Sequence, residues 1–329
     1  MAQRREGQLK RGELVTVRTA AEILATLDER GRLNGLPFMP EMLQFCGRTF
    51  PVYRRADKTC DTIESGGLRR MTDTVHLPGL RCDGSAHGGC QANCLLFWNE
   101  AWLAPSAGAE PRVAHSAAAL PPEGVELLNK ATRRTGALRP GTEQDRFSCQ
   151  ATELLEASSP LAWWDGRQYV RDLRTGNVGF LRLVRGLAIF LFNKYQGFSK
   201  RFLPSRLRIR QGKWYPFIHG SLQKTPSAVL NLQPGELVEV KSKEEILATL
   251  NDLAKNRGLK FDSEMLKYCG RQARVLRRVE RIIDERTGAM LSLRDCIMLE
   301  DVVCQADYHR FCPRGIYSYW REIWLRRVV

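Results

Sequence analysis

Apolar and polar positions alternate with a period of two in GELVTV (Gly12–Val17) and again in GELVEV (Gly235–Val240), which predicts two short strands with one buried face each. Both runs lead into apolar residues at helical spacing, Glu22 to Asp28 in the first case, with Thr19 or Ser242 available as N-cap. Alternation returns in RTFPVYRRADKTCDTI and RQARVLRRVERIIDE. Thr72 to Arg81 and the closing CLLFWNEAWL supply two further extended segments. Each stretch therefore reads as one small β-rich domain with a helical insertion.

These elements occur in register with one another. Gly12 to Arg55 aligns with Gly235 to Arg278 without a gap at a constant offset of 223, and EMLQFCGR matches EMLKYCGR. A single-residue gap changes the offset to 222, after which Cys82 falls on Cys304, His87 on His309, Cys90 on Cys312, Trp98 on Trp320, Glu100 on Glu322 and Trp102 on Trp324. The sequence reads as a duplicated domain, too long per copy for a solenoid. A strand, a helical insertion and three further strands resemble an SH3-like small barrel at the level of fold. The expected class is α+β, mostly β: two duplicated SH3-like barrels flanking a central α+β domain.

The expected boundaries are a first metal-binding barrel over 1–103, an Ala/Pro-rich linker over 104–122, a basic central domain over 123–234 and a second barrel over 235–329. The linker reading rests on APSAGAEPRVAHSAAALPP. In the central domain, WWDGRQYVRDLRTGNVG predicts a hairpin turning at Thr175-Gly176-Asn177, and Phe180 to Lys194 predicts a helix, apolar on most of its surface and therefore buried.

A chain of 329 residues, 43% hydrophobic and 26% charged, has material for real cores, which excludes disorder or coiled coil as a whole-chain description. No apolar run approaches the roughly 20 residues that span a bilayer. The first residues, MAQRREGQLKRGEL, contain no apolar signal segment, so the expected location is cytoplasmic. The net charge of +15 is unevenly placed: residues 1–110 carry +1, residues 111–235 carry +11 and residues 236–329 carry +3. Within KYQGFSKRFLPSRLRIRQGKWYPF, aromatic residues interleave with Lys200, Arg201, Arg206, Arg208, Arg210 and Lys213, and Trp214 follows directly. Basic groups neutralise phosphates while aromatic faces stack on bases, so this segment is expected to bind a polyanion such as RNA or single-stranded nucleic acid. Arg206, Arg208 and Arg210 would share one strand face. A membrane-surface role for the apolar helix is the weaker alternative, since Arg182 and Arg185 are its few charges.

Ten cysteines in a chain expected to sit in a reducing compartment point to metal binding or redox chemistry. Cys82-x4-His87-x2-Cys90-x3-Cys94 places four soft or borderline ligands within thirteen residues, the ligand set of tetrahedral zinc. The glycines of CDGSAHGGC allow the turns such a loop needs. In the second copy Cys304, His309 and Cys312 keep the spacing while Ile316 replaces Cys94, leaving Cys296 or Cys269 as the spare ligand. Zinc is the expected metal, with iron or an iron–sulfur cluster drawing on Cys46 or Cys60 as the alternative. CDGSAH resembles the signature of the CDGSH iron–sulfur domains, but Ala86 intervenes before the histidine and the upstream Cys-x-Cys pair is missing.

Cys46 and Cys269 recur at matching places and read equally as buried thiols or shared ligands. His76 and Asp83 of the first copy could transfer protons beside a metal, Glu100 and Glu322 could orient the histidines, and the four tryptophans read as core anchors. His115 in the linker and the lone Cys149 read as inert. Phosphate-loop, dinucleotide and His-Glu-x-x-His motifs are absent. The readings left standing are a zinc-stapled polyanion binder, a metalloenzyme or redox protein centred on the first copy, and an adaptor for protein partners.

Overall fold

Strand Leu14–Val17 buries Val15 and Val17 and leaves Leu14 and Thr16 half-covered, as its alternation demands. The computed structural model describes residues 9–64, 67–106, 122–134 and 145–328. In it that strand lies between Leu103–Pro105 and Thr49–Pro51, antiparallel to both, with Val15 opposite Phe50 and Thr16 opposite Ala104. The architecture is mixed α+β, mostly small antiparallel sheets, and among the described residues no strand order closes into a barrel. Residues 107–121, most of the expected linker including His115, lie outside the described residues.

Two compact units divide the chain. The first comprises Met1–Val178, Arg281–Ser292 and Cys312–Arg314; the second comprises Gly179–Glu280, Leu293–Phe311 and Gly315–Val329. Residues 123–234 thus part at Val178, and the 235–329 stretch gives two short segments to the first unit.

In the first unit a second sheet joins Arg54–Arg55, Thr74–His76 and Trp98–Asn99, and a third joins Lys58–Cys60, Leu68–Arg70 and Ser159–Leu161. The hairpin Arg281–Ile283/Met290–Ser292 also belongs here. Thr19 closes a capping box with Glu22 at the start of helix Ala20–Leu24. Trp98 and Trp102 are fully buried, Phe38 meets the Trp102 ring edge-on at 5.2 Å, and Trp102 Nε1 donates to Thr26 Oγ1 at 3.1 Å. Gln150 is a buried clasp: its amide donates to the carbonyls of Pro37 (3.0 Å) and Phe97 (2.9 Å), and its Oε1 accepts from the Phe97 N–H (2.8 Å).

The hairpin expected around Thr175 is a helix, Arg167–Arg174. The Thr175-Gly176 signal is its C-terminal cap: the Thr175 N–H reaches the Arg171 carbonyl at 2.9 Å and Gly176 takes φ +74°. Asn177 then imitates a strand partner, accepting from the Arg55 N–H and donating to the Arg55 carbonyl, both at 2.9 Å. Asp172, buried on this helix, pairs with the buried Lys58 ammonium.

The second unit is built on a five-stranded sheet in the order Trp320–Arg321, Cys296–Leu299, Gln272–Arg278, Leu237–Val240, Leu325–Arg327. Val238 faces Ala273 and Glu239 faces Arg326, and Ser242 closes a capping box with Glu245. Phe261 meets Trp324 edge-on at 5.3 Å, and Trp324 Nε1 donates to Thr249 Oγ1 at 2.9 Å.

The apolar helix runs over Phe180–Phe202, longer than expected, and it is not buried. Leu183, Gln196 and Ser199 are buried and Leu187, Ile189, Phe190 and Phe192 half-covered, whereas Phe180, Leu181, Val184, Leu191, Phe198 and Phe202 are exposed. Small and polar residues share its inner face with Leu183: Gly186 lies against the Phe311 ring, and the Gln196 amide donates to the carbonyls of Ile209 (3.1 Å) and Lys213 (3.0 Å).

Truncating a core anchor tests this packing. Trp324→Ala removes both a fully buried ring and the bond to Thr249, and a loss of about 3–5 kcal/mol is expected in chemical denaturation. A loss below about 1 kcal/mol contradicts the burial described.

Candidate metal centre

Glu41 sits in the short helical turn Pro40–Phe45, 7% exposed, with Met42 packed beneath it in the core. Neither of its carboxylate oxygens meets a hydrogen-bond donor in good geometry. Facing it is the loop that carries Cys82 and His87. Gly84 makes that loop possible: it takes φ +78°, its carbonyl receives the N–H groups of His87 (3.1 Å) and Gly89 (3.0 Å), and a Cβ there would strike the Cys90 backbone. The ligand atoms of Glu41, Cys82 and His87, three buried residues, lie within 4.8 Å of one another. His87 Nε2 is 3.3 Å from Cys82 Sγ and Nδ1 is 3.7 Å from Glu41 Oε1.

Burial sets the protonation of all three. It pushes Glu41 up, raises Cys82 well above a thiol's ordinary value with help from the neighbouring Glu41, and drives His87 down to about 4. Glu41 and His87 Nδ1 have no hydrogen-bond partner in the interior. A divalent cation would ionise thiol and carboxyl together and supply the missing partner.

The corresponding residues of the second unit, Glu264, Cys304 and His309, also bring their ligand atoms within 4.8 Å. Cys304 Sγ is 3.7 Å from His309 Nδ1, and His309 Nε2 is 3.5 Å from Asp262 Oδ2. A carboxylate on the far nitrogen orients an imidazole for ligation. Against the effect of burial, Asp262 and Cys304 push His309 up to about 11. Glu264 is buried and accepts from the Tyr308 N–H at 2.6 Å, while its Oε2 has no hydrogen-bond partner. His309 is half-exposed, so this group is the more open of the two.

The other expected ligands stand elsewhere. Cys90 and Cys94 line a cavity of about 30 Å³ together with Cys82, His87, Cys149, Glu285 and Arg314, without joining the three ligand atoms. Burial holds the Cys94 and Cys149 thiols up at about 12. Cys296 lies in the buried strand Cys296–Leu299 beside the Arg321 guanidinium (3.4 Å). Cys312 is packed against Cys60 in the first unit. Cys46 and Cys269 pack against the two cores, their thiols pushed up to about 11 by burial.

Glu100 and Glu322 do not orient the histidines: Glu100 pairs with the buried Arg55, and Glu322 with Arg278, the residue 223 positions on from Arg55. His76 is a core residue, its Nδ1 2.8 Å from the Leu96 carbonyl and its ring centred 4.6 Å from that of Phe97. Glu41 and Glu264 were the residues that spacing alone missed. Their signal was present as an acid repeated inside the apolar EML run of both copies, where a solvated role is hard to keep.

The basic segment also departs from expectation. Arg206, Arg208 and Arg210 share no strand: after Pro204 the chain makes two tight helical turns, Ser205–Leu207 and Ile209–Gly212, with left-handed Arg210 (φ 44°) and Gln211 (φ 60°). The Arg208 guanidinium turns back to the Leu203 carbonyl at 2.8 Å. Lys200, Arg201, Arg206, Arg210, Lys213 and Trp214 are exposed. Arg210 and Lys213, with Gln211, Phe217 and His219, line an open pocket of about 460 Å³, where the Arg210 guanidinium lies 4.7 Å from the Phe217 ring centre. No helix among the described residues is long and apolar enough to cross a membrane.

Comparison of the chain with protein-family models, with curated proteins and with solved structures returns no match.

Burial of His76 has a pH signature. Desolvation drives it from its ordinary 6.5 to about 3, so between these values the unfolded chain binds the proton and the folded chain does not. This contribution to stability is complete above about pH 6.5 and is lost as pH falls toward 3. His76→Gln should flatten the acid limb of a stability–pH profile by at most about 1.4 kcal/mol per pH unit. Parallel limbs for the two proteins would show that the imidazole is not held neutral.

Proposed function

We propose that this is a zinc-binding protein with two centres, Glu41–Cys82–His87 and Glu264–Cys304–His309, whose basic segment binds a polyanion. The observation that carries the metal reading is the buried, unsatisfied Glu41 carboxylate held against a thiol and an imidazole, with the same three residue types grouped again in the second unit. An uncompensated acid in the interior costs several kcal/mol, and a cation turns that cost into binding energy. Zinc accepts sulfur, nitrogen and oxygen ligands together, whereas iron–sulfur clusters draw mainly on thiolates and each group contains a single sulfur. The buried first centre suits a structural staple. The second offers the same three ligand types with a half-exposed histidine, so water or substrate could reach a coordination position there. We take the two stretches to be copies of one SH3-like domain, supported by their matching strand neighbours, capping boxes and tryptophan–threonine bonds.

A polyanion as partner is supported by the open pocket at Arg210 and Lys213. From Leu173 to Gly235 the chain contains eleven Lys or Arg and no acidic residue, and among the described residues Arg210 and Lys213 make no ion pair. Phosphates neutralise such groups, and Phe217 and Trp214 offer ring faces.

Elemental analysis of the purified full chain should give about two zinc ions, one for each group of ligands. Glu41→Gln and Cys82→Ser should each remove one equivalent and leave the other; zinc content unchanged by both would sink the first centre.

Binding of a fluorescent single-stranded RNA should weaken steeply with salt. The double reversal Arg210→Glu, Lys213→Glu should weaken it and lower the slope of log affinity against log salt by about 1.4, at about 0.7 per phosphate contact on a single strand. An RNA affinity indifferent to salt and to both substitutions would remove the polyanion reading.

A further inference from the structure

Cys60 and Cys312 are 252 positions apart in the chain, yet their sulfurs lie 2.8 Å apart within the first unit. The Cys60 N–H, at the end of strand Lys58–Cys60, also points at Cys312 Sγ from 3.0 Å. Cys312 is 3% exposed, whereas Cys60 is half-covered. Beside them the buried Arg314 guanidinium is fixed by the Glu285 carboxylate (3.0 Å) and the Thr62 hydroxyl (2.8 Å). Among the described residues neither sulfur belongs to a cluster of three metal-ligand atoms. Two thiols brought together and flanked by a fixed cation make a dithiol pair.

We infer that Cys60 and Cys312 form a reversible disulfide by exchange with low-molecular-weight disulfides such as glutathione disulfide. Cys60, the less buried thiol, attacks one sulfur of the external disulfide, forming a mixed disulfide and releasing the first thiolate. Cys312 then attacks the Cys60 sulfur, closing the Cys60–Cys312 bond and expelling the second. Two protein thiols are oxidised, the external disulfide is reduced by the same electron pair, and its two thiol products take up the two protons. Hydrogen bonding favours the resolving thiolate: burial opposes ionisation of Cys312, but the Cys60 thiol, the backbone N–H groups and the Arg314 charge hold it below its usual value. The bond would fasten Cys312–Arg314 to the strand that carries Cys60, so the state of the pair reports the redox poise around the protein. This inference is independent of the zinc reading.

The test uses the reduced full chain with its metal retained, titrated with glutathione disulfide against glutathione, quenched by alkylation and digested without reduction. Mass spectrometry should find the Cys60–Cys312 peptide pair as the first cross-link to form, lost again on adding dithiothreitol, with zinc content constant throughout. Cys312→Ser should halt at a glutathione adduct on Cys60, and Cys60→Ser should form no cross-link to Cys312. Should either variant fail to fold, the wild-type titration decides alone. Separate alkylation of both residues across the titration, cross-linking of either to another cysteine first, or zinc released in step with the cross-link would each overturn the proposal.

Discussion

Taking Glu41, Cys82 and His87 out of water together is the constraint around which the first unit is arranged. A buried carboxylate with few partners is expensive for a protein to hold, so the elements around it must be fixed before it can be tolerated. The core beneath Pro40–Phe45 fixes the acid, Gly84 folds the loop that returns the histidine, and Gln150 ties the neighbouring backbone at Pro37 and Phe97. Burial shifts all three toward their neutral forms, raising Glu41 and Cys82 and lowering His87. Metal binding at such a place is inseparable from folding energy, because the ligands meet only in the folded chain.

The second group shows how position alters the chemistry of the same residue types. Asp262 stands at the position aligned with Met39 and adds a carboxylate 3.5 Å from His309 Nε2, a half-exposed imidazole, whereas His87 is buried. His87 is driven down and His309 up, although both belong to a Glu/Cys/His group. Equivalent spacing in the sequence therefore carries different electrostatics in the two units, closed in one and half-open in the other.

Charge elsewhere is handled by local pairing. Arg55 is fully buried between Asp57 and Glu100, and Arg278 meets Glu322, whose carboxylate also accepts from the N–H groups of Leu230 (2.6 Å), Asn231 (3.1 Å) and Leu232 (3.2 Å). These acids are spent on holding arginines and chain segments, which explains why they do not serve the histidines. The segment after Phe180 contributes no acids of its own before Glu236, and while Arg182 reaches Asp307 and Arg208 the Leu203 carbonyl, Lys200, Arg201, Arg206, Arg210 and Lys213 are exposed.

Local pattern alone determined the strands at Leu14 and Leu237, the Thr19 and Ser242 caps, the buried tryptophans and the turn-forming loop around Cys82 and His87, because alternation, capping and glycine conformations are read within a few residues. It also located the positive charge, which is additive along the chain. Three things were decided only by tertiary structure. The partner of each cysteine depends on which segments meet, so Cys312 leaves His309 for Cys60. Whether an apolar helix is buried depends on what covers it, and Phe180–Phe202 lies exposed over much of its apolar surface. Finally, Glu41 and Glu264 become ligand candidates through burial beside a thiol and an imidazole; the acid repeated in the EML run hints at the burial, but which groups meet it depends on tertiary contacts.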